Sequence, residues 1–180
     1  MRTKPVISIL LALVAVASLL RAEPTPKVDE KVLAKVTYSD LTDVKKFFAV
    51  YVLLDGSAEK IGLDRKELSD FVKLRFKNLF TGFPIEELPK NEQGLPADGI
   101  NEREWANLSV VVWTVGDDYP VAYHIELKMG KFRGGGWGYS DASLGYASAK
   151  TLKDGRVIKD TISDLMERAA ATLFRIQDKL

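Results

Sequence analysis

The sequence predicts an α+β domain, with a mixed or mainly antiparallel sheet of about four or five strands and two helices packed on one face. Three observations lead to this. Short apolar runs at 47–54, 108–115 and 121–129 have the length and composition of strands. Two longer segments, one opening at Asp64 and one near the carboxy end, repeat apolar residues at helical spacing along a single stripe. The last strands also lie close enough in sequence to join by short turns, which favours antiparallel pairing.

The amino end reads as a secretory signal. Arg2 and Lys4 precede an apolar run over 6–20 interrupted only by Ser8 and Ser18, and Ala22 offers a small residue for cleavage. That run is shorter than the roughly 20 residues needed to cross a bilayer. Residues 1–22 are therefore expected to be removed, giving a periplasmic or secreted protein with no stable membrane insertion after cleavage. Residues 23–33, with Pro24 and Pro26, read as a polar tether, and 34–180 as one domain.

Composition narrows the chemistry. The chain has no cysteine, so disulfides, thiol nucleophiles and thiolate metal sites are excluded. Its 26 basic and 25 acidic residues nearly balance, and without Arg2, Lys4 and Arg21 the balance turns slightly acidic. A nucleic-acid partner would call for a basic surface, and none is expected.

Along the domain, 34–38 could form a short first strand. The run at 47–54 is apolar on both faces, as in a buried strand, and Asp55-Gly56 ends it. Asp64 then stands at the N-cap of a helix, with Glu67 at capping-box spacing and Leu63 and Leu68 at staple positions. Leu68, Phe71, Val72, Phe76 and Leu79 form its apolar stripe, and Gly82 and Pro84 stop it. The stretch 84–105 reads as a loop with one short strand near 83–88. The strand at 108–115, again apolar on both faces, should pair with 121–129 as a hairpin. In the latter, Val121, Tyr123, Ile125, Leu127 and Met129 alternate with Ala122, His124, Glu126 and Lys128. A further strand is expected near 144–152. The final helix is expected over 159–179, on a stripe of Ile162, Leu165, Met166, Ala169, Leu173 and Ile176.

Chemistry is thinly signalled. His124 is the single histidine and belongs to the polar side of its strand. The glycine-dense stretch 130–138 lacks the following Gly-Lys-Ser/Thr of a phosphate loop. The pairs Glu86-Glu87 and Asp117-Asp118 fall in loops, where they read as solvated charges. No catalytic residue, metal-ligand set or cofactor is expected. The candidate binding residues are Phe132, Trp137 and Tyr139, aromatics set among glycines that leave them accessible to a partner.

The segment Gly62-Leu63-Asp64 through Leu68, Val72, Leu74 and Arg75, followed by two apolar strands and a carboxy-terminal helix, resembles a pattern in small uncharacterised exported bacterial α+β proteins. The layout is also similar to the amino-terminal domain of the translocation protein TolB. The resemblance concerns fold; the export signal and the lack of catalytic machinery lead to the expectation of an exported, non-catalytic binding or assembly module of the bacterial cell envelope, with an envelope protein as partner. The alternative is a small exported hydrolase that uses carboxylates.

Overall fold

The computed structural model describes residues 29–117, 119–132 and 138–178. The expected signal segment and residues 23–28 of the expected tether lie outside them. The fold is α+β, with a mixed sheet of four strands in the order β1-β2-β3-β4: β1 Lys46–Leu54, β2 Trp105–Val115, β3 Val121–Lys131 and β4 Tyr139–Ala147. β1 and β2 run parallel because two helices and a long loop carry the chain back between them; β2, β3 and β4 follow as antiparallel neighbours.

The helices are α1 Glu30–Thr37, α2 Gly56–Lys60, α3 Arg65–Leu79, α4 Ala149–Lys153 and α5 Arg156–Ile176. α3 begins where its cap places it, with the Asp64 carboxylate accepting from the Glu67 amide at 2.9 Å. Leu68, Val72 and Phe76 are buried beneath it, whereas Phe71 and Leu79 sit at the core margin. α3 lies over β1, and α5 over β3 and β4, on the same face of the sheet. The predicted stripe of α5 is buried in full, from Ile162 to Ile176.

Paired residues in neighbouring strands point to the same side of a sheet. One register row after another therefore builds the core: Val50–Leu108–Met129–Tyr139, Val52–Val110–Leu127, and Leu54–Val112–Ile125. At the amino end of β1 the core is aromatic. Phe47 meets Phe76 edge-on at 4.8 Å, and Phe76 stacks on Phe80 at 4.6 Å.

Four expectations are corrected. Residues 34–37 are helical, as is the end of the expected tether, and Tyr38 ends the helix. Asp29 accepts from the Lys31 amide and caps α1, and the helix it starts runs through Ala34 and Val36, which therefore do not alternate in a strand. The strand expected near 144–152 is β4, which ends at Ala147 because Ser148 caps α4, its hydroxyl accepting from the Thr151 amide at 3.1 Å. The short strand near 83–88 is a single bridge, Phe47 to Ile85. α5 starts a turn early because Gly155, at φ 72°, supplies the left-handed residue that turns the chain into it.

Candidate functional site

A larger departure from the sequence reading concerns β1 and β2. Both were expected to be buried on two faces, but the helices cover only one. Among the described residues no element covers the other face of the sheet, whose rows run Tyr51–Ser109–Lys128–Ser140, Leu53–Val111–Glu126–Ala142, Trp113–His124–Leu144 and Val115–Ala122–Tyr146. Trp113 is 48% exposed, Leu144 78% and Tyr146 74%, and Tyr51, Leu53 and Val115 are exposed as well. Large apolar side chains from three strands thus share one solvent face.

The face has two unlike ends. One carries Trp113, Val115, Leu144 and Tyr146 as raised side chains. The other is hollowed into a groove of about 420 Å³ lined by Tyr51, Ser109, Lys128, Gly130 and Ser140. Between the ends, Glu126 accepts hydrogen bonds from Ser140 at 3.0 Å and pairs with Lys128 at 2.9 Å. The Lys128 hydrogen bond, working against desolvation, holds the Glu126 carboxyl below its ordinary value. His124 sits half-buried in this face, flanked in register by Trp113 and Leu144.

Of the three aromatic residues singled out from the sequence, two are described, and neither is presented on the exposed apolar end of this face. Tyr139 is 5% exposed on the helix-covered face, its ring 5.4 Å from that of Tyr38. Phe132 is half-buried with its ring against Phe48 at 5.3 Å. Phe48 is available there because an irregularity in the β1–β2 register sets it between the paired residues Phe47 and Ala49. Trp137 lies outside the described residues. Trp113, Leu144 and Tyr146 were missed by the sequence reading.

Beneath the sheet edge, β4 and α5 are joined by a polar cluster. Asp141 accepts from Arg168 Nε at 2.7 Å and from the Tyr139 hydroxyl at 3.1 Å. Burial pushes the Tyr139 phenol well above its ordinary range, and the neighbouring Asp141 charge pushes it further. For Asp141, burial acts upward, but the Arg168 and Tyr139 hydrogen bonds and the Arg168 charge outweigh it and hold the carboxyl below 3.8. Neither group is poised near neutral pH for proton transfer, and the cluster reads as a strut between strand and helix.

The sign of its pH effect follows. A carboxyl whose native pKa is depressed stabilises fully above its unfolded value, and that contribution is lost as pH falls through the native one. Asp141→Asn should therefore lower the urea midpoint at neutral pH, with the gap to wild type closing as the pH drops below 3.8. A gap that stays constant into acid would show that the charge of Asp141 contributes nothing.

Among the described residues, every carboxyl with a resolved shift is lowered: Asp70, Glu104, Glu126, Asp141 and Asp178. Glu86 is paired with Lys46 at 2.9 Å. No group of three or more acidic or histidine side chains stands in metal-binding arrangement among the described residues. No helix among them is long and apolar enough to cross a membrane.

No family model matches the chain. No curated protein matches it in sequence. Among solved structures, it is similar to the PelC dodecamer subunit of Paraburkholderia phytofirmans at 9% identity and a TM-score of 0.39, over 73% of this chain and 90% of that one. It is also similar to a homologue of the neuraminyllactose-binding hemagglutinin from Helicobacter pylori at 9% identity and a TM-score of 0.36, over 77% and 92%. An uncharacterised protein aligns at 10% identity and 0.35, over 75% and 91%. Likeness at this level says nothing of activity.

Proposed function

We propose that the chain is an exported, non-catalytic binding or assembly module of the bacterial cell envelope, working by docking a protein partner on its open sheet face. One observation supports this above the others: a four-stranded sheet covered by helices on one side presents Trp113, Leu144 and Tyr146 to solvent on the other. Contiguous apolar surface of this kind is rarely left exposed without an occupant. Tryptophan and tyrosine are also the side chains that most often dominate binding energy at the centre of an interface. The signal-like residues 1–22 and the resemblance to small exported α+β proteins support the envelope as its place.

The test is affinity capture from envelope extracts of the exporting cell, with wild type and Trp113→Asp in parallel. The wild type is expected to retain a stoichiometric protein that the variant loses, while both keep the same thermal midpoint. Equal retention by the two would remove the open face from the function.

A further inference from the structure

We infer that the occupant of the open sheet face is a second copy of this chain, stacked face to face with its strands reversed. The inference rests on the reading of that face as a docking surface, and three features of the face favour a copy of itself.

The first is area. Aromatic side chains carry about 150–250 Å² each, so three aromatic and three aliphatic side chains at these exposures offer on the order of 600 Å² of apolar surface. That is most of the roughly 800 Å² that each partner contributes to a stable interface of standard size. An occupant covering the whole face is needed to bury it. A second flat sheet does so at the usual separation of about 10 Å.

The second is charge. The ionised side chains in the middle of the face, Glu126 and Lys128, are paired with each other at 2.9 Å. The face therefore gives little attraction to a strongly acidic or basic partner, and it does not repel a copy of itself.

The third is shape. Trp113 and Ser109 both point from β2 to the open side, four residues or about 13 Å apart, with Val111 midway. A two-fold axis lying in the interface and crossing the strands at Val111 exchanges the two ends. It sets the raised Trp113 end of each copy over the grooved Ser109 end of the other. The contact is isologous and made twice, so the assembly closes as a dimer. The opposite arrangement, with strands in the same direction, would set Trp113 against Trp113 and groove against groove.

Sedimentation velocity on the protein purified from the exporting cell, across a wide concentration range, tests this. Wild type is expected to be a dimer. Trp113→Asp and Leu144→Asp should each raise the dissociation constant by at least about thirtyfold, the effect of losing one hot-spot side chain. Lys128→Glu, which leaves two unpaired carboxylates on each face, should also give monomer. Val36→Asp, on the exposed side of α1, should leave the dimer intact. Circular dichroism and urea midpoints report whether each variant is folded; Leu144, at 78% exposure, is the position least able to disturb the fold. A monomeric wild type overturns the second copy as occupant, and so does a dimer indifferent to all three face variants. Neither result touches the capture experiment, in which a different protein lost with Trp113→Asp would still uphold a docking face.

Discussion

Replacing Phe47 by alanine is expected to destabilise the protein by about 3–5 kcal/mol, the usual cost of removing a buried aromatic ring. Phe47 is fully buried and stands at a junction. Its ring meets Phe76 at 4.8 Å, Phe80 at 6.0 Å and Phe83 at 6.2 Å, all in edge-on geometry. Its backbone also carries the one bridge to the loop after α3, donating to Pro84 and accepting from Glu86, each at 2.9 Å. Alanine keeps those backbone bonds and leaves a cavity that three rigid rings cannot collapse into. Phe71→Ala, at the core margin, should cost only about 1 kcal/mol, near the centre of the range for point substitutions. Urea unfolding of both variants measures the difference. Equal losses would mean that the aromatic junction adds nothing beyond general burial.

Gly138→Ala should cost about 3 kcal/mol, at the upper end of what overpacking does. A Cβ built on Gly138 falls 2.2 Å from the carbonyl oxygen of Met129 and 3.3 Å from the Cα of Gly130. Those are backbone atoms of β3, so no rotamer change relieves the contact. The strand pair must separate at its first rung, where Met129 faces Tyr139. Tyr139 would lose its place over the core with it. Gly82→Ala is the control: its Cβ meets nothing within 4 Å, and only its φ of 86° opposes the change. A Gly138→Ala protein as stable as wild type would show that β4 can shift outward freely at this end.

Much of the fold was legible because local chemistry and tertiary demand agreed. Asp64, Glu67, Leu63 and Leu68 announced α3 at the residue where it begins. The alternation over Val121–Met129 marked which side of β3 faces the core, and the stripe from Ile162 to Ile176 marked the buried side of α5. Where cap residues outvoted composition, at Asp29 and Ser148, segments that looked extended became helical or stopped being strand.

The open face was partly within reach. Antiparallel pairing of β2 with β3 places Trp113 opposite His124, on the side the alternation of β3 had marked as polar. Taking the two strands as a pair would have turned Trp113 outward. Each strand read by itself could not, because an apolar residue in a run apolar on both faces carries no mark of direction.

The sequence alone determined the α+β class, the capped start of α3, the core-facing sides of β3 and α5, and the exclusion of thiol chemistry. These follow from spacings of a few residues and from composition, which need no knowledge of distant contacts. The packing of both major helices on one side of the sheet was also expected; only the tertiary structure decided that the second apolar face of β1 and β2 is left uncovered by them. It also decided that Tyr139 turns inward to Asp141 and Tyr38, while Trp113 on β2 and Leu144 and Tyr146 on β4 gather outward on two neighbouring rows. Which face of a sheet is buried depends on where helices separated by many residues come to rest, and that is settled by long-range packing.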